Sequence, residues 1–363
     1  MNITKIMVLA YSVFFLQNCF TTAPVKETTL GEKLNERISN PSDTTQTLKV
    51  YFETNRKILS PNPSCSNEHY GVQIDGTERY GACAVSVPAE HEIGNLFLEP
   101  SKGKEVSFIL ESHSNMDKDV FFNSIKAETF PEVLVFVHGF NVKFEEAVLR
   151  AAQIKYDLKF AGPVVLFTWP AGSEDGFLSK IRIDDTYKNN FANAMGSGEH
   201  FKEFLSRISN LGKVAHVIVH SMGHQVVLRG IDKVYSQKKE RFIKELVLNA
   251  PDFESVEFAN IAPNLKASAE RITVYCSPGD NALVASSKVN SNKRVGSCEK
   301  IPGVDMINVN QVDAPVFGLG HGYYSSRPVL TDLFQTILGI EARRRLFIRK
   351  SGPYNSEDYV LRK

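Results

Sequence analysis

The sequence predicts an α/β protein with a mostly parallel central sheet and helices on both faces. Three observations lead there. Short, mostly apolar runs at residues 133–137, 164–167, 217–219, 246–248, 272–276 and 306–309 have the composition of strands buried on both sides. Between several of them, apolar residues recur at helical spacing, as in Val148, Ala151, Ala152, Ile154 and Leu158. The strands end in turn-forming or reactive residues, and ligands of such sheets gather at the carboxyl ends of strands.

The chain begins with one lysine, Lys5, and an apolar run over residues 6–16 interrupted by Ser12. Eleven residues cannot cross a bilayer, which takes about 20, but they suit a secretory leader. The run closes in Leu16-Gln17-Asn18-Cys19, which resembles a bacterial lipobox, and this implies lipidation at Cys19. Residues 1–18 are therefore expected to be a signal peptide, and residues 19–47, polar and without apolar period, a flexible tether. That places the chain in the cell envelope, held at a membrane by an N-terminal lipid, or otherwise in the periplasm or outside the cell.

Residues 48–340 read as one large α/β domain, with no linker or repeat interrupting them. With 42% hydrophobic and 23% charged residues, the chain can bury a substantial core. A net charge of +1 gives no general field for nucleic acid. Besides Cys19, the cysteines at 65, 83, 276 and 298 can pair in three ways in an oxidising compartment, Cys65 and Cys83 being nearest in sequence. Cys276, inside a strand, is expected to be a small buried hydrophobe.

Within the domain, residues 49–52, 83–87 and 106–110 read as strands. Arg56 could pair with an acid, and solvation is the favoured expectation. The strand at 133–137 leads to His138-Gly139-Phe140-Asn141, and a helix is expected over residues 144–161. After the strand at 164–167 comes Thr168-Trp169-Pro170, then an irregular polar stretch, residues 171–198, expected to cap a pocket. A helix marked by Phe201, Phe204, Leu205 and Ile208 follows. A closing helix spans residues 330–340, and residues 341–363 form a basic tail, read as solvated.

The stretch VAHVIVHSMGHQVV, residues 214–227, carries the chemistry. A serine on a sharp turn from strand to helix lifts its hydroxyl above the sheet edge, and the helix-start amides point where an oxyanion forms. Serine, acid and histidine follow in the order Ser221, Asp280, His321, each just past a strand. By VLVFVHGFN, VLFTWP, HSMG, VLNAPD, ITVYCSPGDNAL and GHGYY, the chain resembles the α/β-hydrolase superfamily. It is most similar to a bacterial esterase/lipase-like family of unassigned function with an A-H-S-M-G elbow. Val219 stands where that superfamily prefers Gly or Ala.

The resemblance implies a serine hydrolase acting on carboxylic esters, small or lipid, through an acyl-enzyme. Ser221 would be the nucleophile, His321 its base and Asp280 the orienting acid, with Asp252 as the alternative acid. An Asx turn after Pro278-Gly279 is the other role open to Asp280. The amides of Phe140 and Met222 would form the oxyanion hole, with Asn141 a weaker second donor. His138 is expected to shape that loop by hydrogen bonding. Trp169 and Tyr323, with Phe140, Phe144, Phe177 and Leu319, could line an acyl pocket or belong to the core. No metal or cofactor is expected, since a strand-to-helix break separates His216, His220 and His224. Thioesterase or acyltransferase chemistry would use the same residues. An inert surface lipoprotein on a hydrolase scaffold is the alternative of another class, motivated by Val219.

Overall fold

The structure, a computed structural model, describes residues 47–96, 107–174, 183–312 and 321–362. The leader, Cys19, nearly all of the tether, Phe177 and Leu319 lie outside the described residues. Among the described residues, eleven strands form one sheet: β1 (Thr47–Ile58), β2 (Tyr70–Ser86), β3 (Ile109–Met116), β4 (Glu132–Val137), β5 (Val164–Thr168), β6 (Val214–His220), β7 (Ile243–Asn249), β8 (Ala269–Cys276), β9 (Asp305–Asn308), β10 (Ile348–Lys350) and β11 (Tyr359–Leu361). Their spatial order is β10-β11-β9-β8-β7-β6-β4-β5-β1-β2-β3. Pairings from β1 across to β11 are parallel, and the antiparallel ones are confined to the two margins.

The apolar runs follow from a sheet covered twice. Along β4, Val133, Val135 and Val137 join one hydrophobic cluster, while Leu134 and Phe136 join the other. β6 divides likewise, Val217 and Val219 against Ile218. The first cluster takes in α1 (Lys118–Ala127), α4 (Gly198–Ile208), α5 (Gly223–Lys238) and α6 (Ser255–Ser268). The second takes in α2 (Phe144–Asp157) and α8 (Arg327–Ile337). Both faces need apolar side chains, so no alternation survives in the sequence.

Several elements differ from the sequence expectation. α2 stops at Asp157 because Lys159 adopts a left-handed conformation (φ 47°) and the Phe160 amide donates back to the Lys155 carbonyl. β3 begins at Ile109 and runs on to Met116, since register with β2, not apolar content, sets its length. The stretch expected to be irregular contains α3 (Ile183–Gly196). Its inward positions Thr186, Asn190 and Ala194 recur every fourth residue, but two of the three are polar, which hides the helical period. α7 (Asn281–Asn290) follows β8.

The segment read as a solvated tail instead completes the sheet. β11 pairs parallel to β9, and β10 pairs antiparallel to β11. Arg345 is buried and its guanidinium meets Asp332 at 3.0 Å, anchoring the entry to this hairpin.

Among the described residues there are two disulfides, Cys65–Cys83 and Cys276–Cys298, with Cα separations of 6.1 and 5.1 Å. Cys276 is thus a bridge, not the simple buried hydrophobe that its strand position suggested. Glu53 on β1 is 1% exposed, and neither carboxyl oxygen has a hydrogen-bond partner among the described residues. Burial, and next the charge of Glu78, push its pKa well above the ordinary 4.5.

Breaking the first bridge, as Cys65→Ser with Cys83→Ser, is expected to lower stability by about 3 kcal/mol in urea unfolding, the loop-closure value for such spacings. Glu53 holds its proton more tightly when folded. Its contribution is therefore intact below about pH 4.5 and is lost as pH rises toward the folded pKa. Glu53→Gln, which does not titrate, is expected to raise the urea midpoint at pH 8 and to lose that advantage at pH 4.

Candidate active site

β6 ends at His220, and α5 starts at Gly223, leaving Ser221 and Met222 to make the turn. Ser221 sits in the left-handed region (φ 49°), a conformation non-glycine residues seldom hold without support. Support comes from both sides. Its amide donates to the Asn249 carbonyl at 3.0 Å, and its carbonyl accepts from the His224 amide at 3.1 Å. Close approach is met by glycines: a Cβ at Gly223 would lie 2.5 Å from the His138 carbonyl, and one at Gly139 2.8 Å from Ser221 Cβ. Val219 is fully buried among the core side chains.

Asp280 follows β8 and caps α7. Its Oδ1 accepts from the Ala282 and Leu283 amides at 3.0 and 3.1 Å. Its Oδ2 faces His321 Nδ1 at 2.5 Å. The Asx-type role and the pairing with histidine are therefore held by one carboxylate, an oxygen for each. A carboxylate oxygen facing Nδ1 suits that nitrogen as the donor of the pair, which leaves Nε2 as the ring atom available to another group. That Nε2 is buried with no hydrogen-bond partner among the described residues.

The imidazole lies beside the elbow. Its ring centroid is 4.9 Å from that of His220, the residue preceding Ser221. Burial, and then the neighbouring His321, push the His220 pKa well down, so His220 packs as a neutral ring. Tyr323 is buried and its hydroxyl donates to Asp280 Oδ2 at 3.4 Å, placing it behind the acid. His224 is also buried, with its pKa pushed down to about 3 by desolvation; its Nδ1 lies 2.6 Å from the Ser221 carbonyl.

The turn after β4 runs close to the serine, at Gly139. The Asn141 amide donates to Asn190 Oδ1 at 3.0 Å and so is taken. Among the described hydrogen bonds, neither the Phe140 nor the Met222 amide has an acceptor. His138 is buried, stacks on Trp169 at 5.3 Å and receives the indole N–H on its carbonyl at 2.9 Å. Burial, then the charge of Arg56, push its pKa down to about 3, so it stays neutral. Trp169 is fully buried and belongs to this support layer.

Arg56 is the residue that sequence reasoning placed wrongly. It is fully buried instead of solvated, and among the described residues its hydrogen-bond partners are uncharged and include no acid. Nε donates to Thr168 Oγ1 at 3.0 Å, Nη1 to the Gly71 and Ala171 carbonyls at 3.0 and 2.9 Å, and Nη2 to the Val142 carbonyl at 2.9 Å. Nη2 also stands 3.4 Å from His138 Nε2. Burial lowers its pKa to about 9, which leaves it charged at neutral pH. The one signal in the sequence was that Glu53-Thr54-Asn55-Arg56 extends a buried strand, and its polar residues concealed this.

Asp252, the alternative acid, is engaged elsewhere. It meets Arg294 Nε at 3.1 Å and accepts from Ser286 and Tyr187 hydroxyls at 2.5 and 3.0 Å. Tyr187 comes from α3 and packs against Phe140, with ring centroids 5.9 Å apart. Asn190 and Tyr187 thus tie α3 to the serine's surroundings, a role nothing in their spacing announced. Among the described residues, no group of three or more His, Cys, Asp or Glu could hold a metal ion.

Residues 113–341 match a protein family described as an alpha/beta hydrolase of unknown function (DUF900). No curated protein and no solved structure matches the chain.

Proposed function

We propose, from the premise that the chain belongs to this α/β-hydrolase family, that it is a serine hydrolase cleaving carboxylic esters through an acyl-enzyme on Ser221. The observation that carries this is His321, whose Nδ1 is fixed on Asp280 and whose buried Nε2 has no hydrogen-bond partner among the described residues, Ser221 included, with its ring 4.9 Å from that of His220, which precedes a serine held in a left-handed turn.

In this mechanism Ser221 Oγ adds to the ester carbonyl while its proton passes to His321 Nε2. Asp280 offsets the positive charge that the imidazole then carries. The carbonyl oxygen becomes an oxyanion facing the Phe140 and Met222 amides, and each such donor is typically worth about 3 kcal/mol of transition-state stabilisation. When the tetrahedral species collapses, the C–O bond of the ester breaks and the alcohol leaves with the proton from His321. Water, deprotonated by the same nitrogen, then adds to the acyl carbon; the bond from that carbon to Ser221 Oγ breaks, His321 returns the proton to Oγ, and the carboxylic acid leaves. The neutral His138 and His220 frame this chemistry without competing for the proton.

A fluorophosphonate probe is expected to label the wild type and to miss Ser221→Ala; equal labelling of both would remove the proposal. Asp280→Asn keeps a good helix cap, so stability should change by less than about 1 kcal/mol. Its kcat on p-nitrophenyl esters should nevertheless fall by about 10⁴-fold, because the wrong imidazole tautomer is favoured.

We further propose that the chain works in the cell envelope, anchored through Cys19. Two disulfides suit an oxidising compartment, and the leader followed by Leu16-Gln17-Asn18-Cys19 suits lipidation. Fractionation of a bacterial host should find the wild type with membranes and Cys19→Ser in the soluble envelope fraction. An identical distribution of the two would refute the anchor.

A further inference from the structure

The turn of residues 138–142 is gripped at both ends by one side chain. Arg56 Nη2 holds the Val142 carbonyl at 2.9 Å and lies 3.4 Å from the His138 ring, and Phe140 is midway between those two residues along the chain. The remaining nitrogens of Arg56 tie it to the exit of β5, at Thr168 and Ala171, and to Gly71 at the start of β2. A second grip comes from Asn190, which takes the Asn141 amide and both backbone groups of Gly172. These grips leave the Phe140 amide as a donor without an acceptor.

A buried guanidinium is an expensive way to join loops if joining them is its whole purpose. Its rigid planar fork does what a lysine cannot: it addresses acceptors in several directions at once. Its charge, with no carboxylate among its hydrogen-bond partners, also adds a favourable field for an anion formed at the turn.

Resting on the ester-cleaving reading above, we propose that Arg56 is a positioning residue of this site, fixing the turn of residues 138–142 so that the Phe140 amide stays aimed at the developing oxyanion over Ser221. It touches no reacting atom. Its effect should therefore appear in the transition state and not in substrate binding.

The test compares full-chain wild type and Arg56→Lys, each shown to be folded by near-UV circular dichroism, on p-nitrophenyl butyrate and with a trifluoromethyl ketone. The ketone adds to serine and presents a real oxyanion. Arg56→Lys should lose about 10²-fold in kcat with KM changed less than about threefold, as for loss of an oxyanion donor. Its ketone Ki should rise by the same factor as kcat/KM falls, while the acid limb of the pH profile stays in place. A folded Arg56→Lys with wild-type kcat and ketone Ki overturns the proposal. So does a loss of kcat with unaltered ketone affinity. If Arg56→Lys does not fold, Thr168→Val removes the Nε acceptor; the same signature at about tenfold is expected, and unchanged kcat and Ki overturn the proposal. A wild type that takes no fluorophosphonate and cleaves no ester overturns the hydrolase reading and this one together. An active wild type with an unaffected variant overturns this one alone.

Discussion

A positive charge placed inside a protein has to be surrounded by oxygen, and much of this molecule's site is arranged by that requirement at Arg56. Left without partners, a buried guanidinium would cost several kcal/mol. The carbonyls of Gly71, Ala171 and Val142 and the hydroxyl of Thr168 meet the need, and they belong to segments distant in the chain. The first strand, the exit of β5 and the turn close to Ser221 are therefore held to one point. The same charge helps to keep His138 neutral, and His138 in turn stacks on Trp169 and receives its N–H.

The acid loop shows economy of a different kind. Asp280 closes the first turn of α7 with one oxygen and orients His321 with the other. A rigid helix start thus fixes the carboxylate, so the imidazole is positioned by secondary structure and not by a mobile side chain. The disulfide from Cys276 to Cys298 ends the strand immediately before this loop, and the Ser277 amide donates to the Gly296 carbonyl at 3.0 Å. The acid is stitched to its surroundings within a few residues on either side.

What was legible in the sequence was whatever a single physical demand dictates. Strands buried on both faces must be apolar, so β4, β5, β6, β7, β8 and β9 were visible as runs. A strand-to-helix turn carrying Ser221 between His220 and Met222, with Asp280 and His321 in order behind it, was visible as motif and sequence order. The parts that stayed hidden are those in which polar residues are buried for each other's sake. Arg56 read as solvated because a lone arginine usually is. α3 read as irregular because Thr186 and Asn190 occupy positions where a core helix would show aliphatics. The Cys276 pairing was open because sequence distance does not decide which sulfurs meet.

The hairpin of β10 and β11 has a consequence for how the molecule behaves at high concentration. The family match stops at residue 341, yet Tyr359 and Val360 of β11 pair along the flank of β9, and Arg349 and Lys350 place two cations on the outermost strand. Bare strand margins recruit other strands, and charged, short outer strands discourage them. Trimming the chain to its family boundary would move the sheet's margin from a short, charged strand to β9, an edge without that protection.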